Sequence, residues 1–229
     1  MIKVAILVDG AFFIKRLRFL YHNKPSFNPY DAAYFAKELH TIALKHLNWK
    51  KRECEMDERL YRILYYDCPP LDKRVHNPIN MKCMDFSKSR EAIFRIELFN
   101  QLKKLRKVAL RLGSIKDHMG WVLKAEATSK LIRKQISVSD LRSSDVVYDV
   151  SQKGVDMRIG LDIAALAYKK LADKIILISG DSDFVPAAKV ARREGIDFVL
   201  DPMWNHINDL LFEHIDGLQS TCVGLKTAG

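Results

Sequence analysis

Cysteine is scarce in this chain of 229 residues: Cys54, Cys68, Cys83 and Cys222 are the only four, and no two stand close together. A disulfide scaffold is therefore excluded, and so is a zinc site of the paired-cysteine type, since no His pair has ligand spacing beside them. Reduced thiols in a cytosolic protein, and hence a cytoplasmic location, are expected. No apolar run approaches the roughly 20 residues of a membrane span. The first run, Val4 to Val8, is too short for a secretory leader and is ended by Asp9. The seven histidines show no catalytic arrangement, and His40 and His46 are expected on an ordinary helix surface. Internal repeats and low-complexity segments are also missing. Acidic residues are outnumbered, 28 against 38 basic, for a formal net charge of +10. That balance favours a polyanionic partner, either nucleic acid or an acidic membrane surface.

What is present reads as alternating strands and helices, so a largely parallel sheet is expected. Strands are predicted over 2–8, 60–66, 108–113, 174–179 and 196–200. Helices are predicted over 11–21, 30–47, 90–106, 156–171, 184–194 and 207–215. In the helix over 90–106, Ile93, Ile96, Phe99, Leu102 and Leu105 are expected to share the buried face. Residues 22–29 have a loop composition, and 48–59 are charged and expected to be exposed. Residues 68–89, with Pro69, Pro70 and Pro78, read as irregular. Within 114–152 the pattern is weakest. Trp121–Lys124 suits an edge strand, and the basic stretch 126–142 suits a mobile loop or an irregular helix.

Two aspartates, Asp181 and Asp183, follow the run Ile175-Ile176-Leu177-Ile178-Ser179-Gly180. Such a run reads as a strand buried on both faces, ended by a glycine turn. The first strand ends alike, in Val8-Asp9-Gly10. Carboxylates at the carboxyl ends of central strands stand where open α/β sheets place their ligands. Asp156 is a further candidate, and Asp162 a supporting one. Six helical residues separate these two, about 120° around the axis, so Asp162 is expected to bond Lys or a backbone group instead. Singly, each aspartate has a plain reading: Asp183 as a helix cap, Asp9 as a turn residue. Together, in a basic protein, they suggest a divalent cation, Mg²⁺ or Mn²⁺, held by carboxylate oxygens and handling phosphate.

Three pieces then carry a resemblance: Val8-Asp9-Gly10, Lys153-Gly154-Val155-Asp156 with Asp162, and Ser179-Gly180-Asp181-Ser182-Asp183-Phe184. Their order and spacing resemble the NYN domain, in the LabA-like branch of the PIN-like nuclease superfamily. The resemblance implies an α/β, Rossmann-like (PIN-like) fold, with a mostly parallel sheet and helices on both faces. It implies one domain over 1–217 with a basic, extended middle region at about 67–150, followed by a C-terminal tail over 218–229. It also implies a Mg²⁺- or Mn²⁺-dependent ribonuclease whose catalytic, metal-holding cluster is Asp9, Asp156, Asp181 and Asp183. Many members carry Asn three residues after the first aspartate, where this chain has Phe12.

Two basic runs are candidates for contact with RNA phosphates. The first includes Lys103, Lys104, Arg106 and Lys107, and the second Lys130, Arg133, Lys134 and Arg142. A groove lined by part of both is expected, although solvated helix faces or an acidic protein partner would use the same charges. Lys153, three residues before Asp156, suits either a scissile phosphate or an ion pair with a site carboxylate. Three functions compete. One is a metal-dependent endoribonuclease acting on RNA. Another is a catalytically weak nucleic-acid-binding or adaptor protein of the same fold. The third, a phosphatase with an aspartate after its first strand, normally needs another aspartate two residues on, where this chain has Ala11. No membrane association is expected, and a homodimer is compatible with the sequence.

Overall fold

The computed structural model describes residues 1–47 and 57–223. Most of the charged stretch expected to be exposed, 48–56, lies outside them, as does Cys54. In chain order the first half runs β1 (Ile2–Asp9), α1 (Gly10–Tyr21), α2 (Ala32–Lys45), β2 (Glu58–Asp67), β3 (Arg74–His76), β4 (Cys83–Asp85), α3 (Arg90–Lys103) and β5 (Val108–Leu112). The second half runs β6 (Ser114–Leu123), α4 (Ala125–Ile132), β7 (Val146–Lys153), α5 (Val155–Tyr168), β8 (Lys174–Ile178), α6 (Val185–Arg193), β9 (Asp197–Asp201), α7 (Asp209–Phe212) and β10 (Gly217–Leu218). No helix among the described residues is long and apolar enough to cross a membrane.

Six strands form one parallel sheet in the order β10-β9-β8-β1-β2-β5. The chain winds outward from β1 to β2 and β5, then returns to the other side of β1 and continues through β8, β9 and β10. The order therefore reverses between β1 and β8, and such a switch point opens a crevice at the carboxyl ends of the strands. A parallel sheet needs cover on both faces, which is why β1 reads as unbroken apolar sequence. Val4, Ile6 and Val8 face α1, α2 and α3, while Ala5 and Leu7 face α5 and α6. All five are fully buried. Burying a Val, Leu or Ile side chain contributes roughly 1.5–3 kcal/mol, so β1 anchors both halves of the core.

Several expectations change. Residues 68–89 are not wholly irregular, because β3 and β4 pair as a short antiparallel hairpin. In α3 the buried residues are Ala92, Phe94, Leu98, Phe99 and Leu102, whereas Ile93 and Ile96 are 59% and 47% exposed. The helix is rotated from the expected face because Phe94 docks edge-on against Phe35 of α2 and Tyr30, at 5.0 and 6.1 Å. The obscure region 114–152 is an arm: β6 and β7 pair antiparallel from Ser114↔Lys153 to Leu123↔Val146, and α4 lies beyond the far end. Trp121 to Leu123 thus belongs to a long ribbon, and 125–132 is a regular helix.

The C-terminal boundary also differs. Leu218 lies in β10, and Thr221 and Cys222 are buried, so residues 218–223 belong to the folded body. His46 is not on a surface. Its side chain is fully buried and its Nε2 lies 2.8 Å from Asp201 Oδ2. The pair joins residues 155 apart in sequence, a partnership that no local pattern announces.

Candidate active site

Four neighbouring strands, β9, β8, β1 and β2, deliver aspartates to the carboxyl edge of the sheet: Asp201, Asp181, Asp9 and Asp67. The outer two have side-chain partners in the body. Asp201 meets His46, accepts from Met203 N–H at 2.7 Å, and lies within reach of the Thr221 hydroxyl. Asp67 meets the Arg95 guanidinium and accepts from Cys68 N–H at 2.8 Å. The inner two, Asp9 and Asp181, have no cationic partner among the described residues, and they flank the switch point.

Local sequence explains their poise. Asp9 ends β1 and caps α1, its Oδ1 accepting from Phe12 N–H at 3.1 Å, while Ser179 Oγ donates to Oδ2 at 3.4 Å. Gly10 must follow because a Cβ there would stand 2.6 Å from the Tyr65 ring and 2.7 Å from the Tyr66 carbonyl. Asp181 caps a single helical turn, accepting from Asp183 N–H at 3.0 Å. The capping expected of Asp183 thus falls to Asp181. Asp156 arrives from the arm. Gly154, at φ +78°, turns the chain from β7 into α5, and Asp156 lies in the first turn of that helix. That left-handed conformation suits glycine, and the helix N-terminus favours a carboxylate.

Asp156 connects the group electrostatically. Burial, followed by the charges of Asp181 and Asp183, raises its pKa. Asp9 is pushed from 3.8 to about 6, first by burial and then by the charges of Asp156 and Asp67, against the stabilising contacts from Phe12 N–H and Ser179. The four aspartates named from sequence therefore share one field at one edge. Among the described residues, however, no three His, Cys, Asp or Glu side chains are gathered tightly enough to form a complete metal cage. The donor set still fits a small hard cation, because Mg²⁺ commonly takes one or two carboxylates, with water and substrate phosphate completing its shell. Uncompensated charge on a half-buried Asp9 is what such a cation relieves.

Other expected residues fall elsewhere. Among the described residues Asp162 meets no Lys or backbone group; its Oδ2 accepts from Tyr66 OH at 2.8 Å and from Arg111 Nε at 3.2 Å. Lys103, Lys104, Arg106 and Lys107 precede β5, at the amino edge of the sheet. Val108 pairs with Ile63, while Leu112, at the far end of β5, pairs with Asp67. About 15 Å of strand separates that run from the acidic edge, so it does not line the acidic crevice. Lys107 instead donates to the Leu60 carbonyl. Lys130, Arg133 and Lys134 lie on or beside α4, at the tip of the arm, and Lys130 pairs with Glu126 at 2.8 Å. Lys153 is at the base of the arm, exposed, with no ion-pair partner among the described residues.

Sequence reasoning passed over Asp67, although it ends a strand-like run as Asp9 does. It had no signal for Asn205. The Asn205 amide nitrogen and the Phe12 ring both lie against Gly180, at 3.2 and 2.8 Å from where a Cβ would stand. Phe12 thus gives the crevice an apolar wall, and Asn205 a polar group beside it.

No curated protein matches the chain. Among solved structures the chain is similar to a protein of unknown function from Vibrio parahaemolyticus, at 15% identity and a TM-score of 0.47, over 96% of this chain and 93% of that one. The family model of the NYN domain, part of the PIN-like nuclease superfamily, matches residues 82–209, which include Asp156, Asp181 and Asp183 but not Asp9. With more than half of its length matched, and aspartates at the ends of the two strands that flank the switch point of a parallel sheet, the chain belongs to the NYN domain family.

Proposed function

We propose that this protein is a metal-dependent endoribonuclease of the LabA-like branch, cutting RNA at the crevice between β1 and β8. The observation that carries the reading is the division of the strand-end aspartates. Asp67 is ion-paired with Arg95 and Asp201 is held by His46, whereas Asp9 and Asp181 are left without a cationic partner among the described residues, beside Asp156 and Asp183. A sheet edge needed only for stability gains nothing from that unbalanced charge. In this reading Mg²⁺ or Mn²⁺ would bind among Asp9, Asp156, Asp181 and Asp183, taking one or two of these carboxylates, with water and substrate phosphate completing its shell. The bound cation would supply positive charge to the scissile phosphate and make a water more acidic.

The chain's own groups set the geometry. Phe12 N–H and Ser179 hold the two oxygens of Asp9, and Asp183 N–H holds Asp181. Lys153, exposed three residues before Asp156, would receive an RNA phosphate in this reading. The arm then offers Lys130, Arg133 and Lys134 further along the strand. The test is cleavage of labelled single-stranded and structured RNA with Mn²⁺, with Mg²⁺ and with EDTA, by the parent and Asp181→Asn. Metal-dependent cleavage by the parent alone is expected. Equal cleavage by both proteins would overturn the carboxylate mechanism.

The Phe12 ring over Gly180 favours a second reading, a cytoplasmic RNA-binding module that cleaves poorly. An aromatic wall cannot hold a water or a phosphate oxygen. Tight RNA binding with no cleavage in any metal would select it.

A further inference from the structure

A cleft of about 270 Å³ lies one strand away from Asp9, between the first turns of α3 and the base of the arm. Its size is just under the roughly 300 Å³ at which pockets for drug-sized ligands begin. It suits a ligand of one ring system. Leu71, Phe86, Ile115 and Val150 give it apolar walls, with Glu91 and Arg95 at its polar side. Phe86 is held in place by Tyr148, with ring centroids 5.4 Å apart.

Charge decides what kind of ligand fits. Arg95 bridges buried Asp67 and Glu91, its Nε donating to Glu91 Oε1 at 3.0 Å. Arg18 Nη1 meets the other Glu91 oxygen, also at 3.0 Å. Two carboxylates against two guanidiniums leave the polar side neutral overall. A phosphate gains nothing there, whereas a flat neutral ring with polar edges does. Glu91 stays 40% exposed, and each of its oxygens keeps a lone pair beyond its arginine bond. It therefore presents acceptors, with no donor, to whatever enters.

We propose that this cleft takes one unstacked nucleobase of the bound strand, and that it selects guanine over uracil. Bases splayed from single-stranded RNA stack on aromatic side chains and are read along their hydrogen-bonding edges. Guanine offers two adjacent N–H donors to a carboxylate; uracil offers one, flanked by carbonyls that the carboxylate repels. The cleft floor also adjoins the acidic crevice. Cys68 follows Asp67 and touches the base of the arm, its Sγ 3.5 Å from the Ser114 carbonyl. A base in the cleft thus belongs to a nucleotide near the scissile phosphate. The biological meaning of this selectivity rests on the RNA reading above, but the binding itself does not.

The test uses guanosine and uridine monophosphates in EDTA, followed by chemical-shift changes at the Ile115 and Val150 methyls and the Phe86 ring. Guanosine monophosphate is expected to give saturable shifts at roughly five-fold lower concentration or better, the scale of one bidentate base contact. Phe86→Ala should weaken both ligands, and Glu91→Gln should erase the preference. Since Glu91→Gln also loosens two arginines, Phe86→Ala provides the independent check. Absence of shifts at the cleft, equal binding of the two nucleotides, or binding unchanged in both variants would each overturn the proposal. Guanosine binding without RNA cleavage would leave the cleft standing and the nuclease reading fallen; cleavage without guanosine binding would do the reverse.

Discussion

Asp9 caps α1 through Phe12 N–H while burial, Asp156 and Asp67 push its pKa to about 6. Above that pH its charge costs folding free energy, because the unfolded carboxyl ionises near 3.8. Below 3.8 both states are protonated and the cost vanishes; it grows as the pH rises from 3.8 to about 6. Asp9→Asn keeps the cap and removes the charge. It should therefore stabilise the metal-free protein at neutral pH by about 1–3 kcal/mol. Urea unfolding from pH 3.5 to 8 should show the gain fading toward acid, and a gain independent of pH would contradict the assignment. Mn²⁺ should raise the melting temperature of the parent more than that of the variant. Gly10 gives a second prediction at this scale. Gly10→Ala drives a methyl into the Tyr65 ring and the Tyr66 carbonyl, and should destabilise by about 1–3 kcal/mol in the same unfolding measurement.

Among the elements, the core strands were legible because burial on both faces leaves a continuous apolar run, as in Val4–Val8 and Ile175–Ile178. The face of α3 was not, since Ile93 and Phe94 are both apolar and only the position of α2 decides which is buried. The arm was illegible for another reason. Its strands pair only with each other and stand partly exposed, so little periodicity marks them. If the arm guides RNA, replacing residues 124–145 by a tight turn should leave the sheet folded and weaken RNA binding. Loss of Lys130, Arg133 and Lys134 should lower the salt slope for single-stranded RNA by about 2. Circular dichroism checks the fold and fluorescence anisotropy across salt the slope; an unchanged slope would assign those charges to solvent. By contrast, Lys103, Lys104, Arg106 and Lys107, at the amino edge, should contribute little to that slope.

Across the whole molecule, the last described residues close the fold over β9 and α2. Thr221 Oγ1 donates to the Ile42 carbonyl at 3.0 Å, Gln219 N–H to Leu200 at 2.9 Å, and Trp204 Nε1 to Cys222 at 3.0 Å. Burial beside Asp201 pushes the Cys222 thiol up to about 12, so it should resist alkylation in the folded protein. Truncation after residue 218 removes these contacts and opens the His46–Asp201 pair to water. At about 1 kcal/mol per hydrogen bond, the expected loss is on the order of several kcal/mol, read by thermal unfolding. A truncated protein as stable as the parent would show that these contacts do not hold the fold together.

The sequence by itself determined the alternation of buried strands and helices, and with it the parallel sheet and the carboxyl-edge placement of Asp9 and Asp181. Both follow from periodicity and chain direction, which are local. Only the tertiary structure decided which aspartates remain unpaired. Asp67 and Asp201 end their strands just as Asp9 does, yet Arg95 and His46 reach them from 28 and 155 residues away. It likewise decided that the run Lys103 to Lys107 lies at the amino edge, away from the aspartates, since a charge keeps no record in sequence of which edge of the sheet it will occupy.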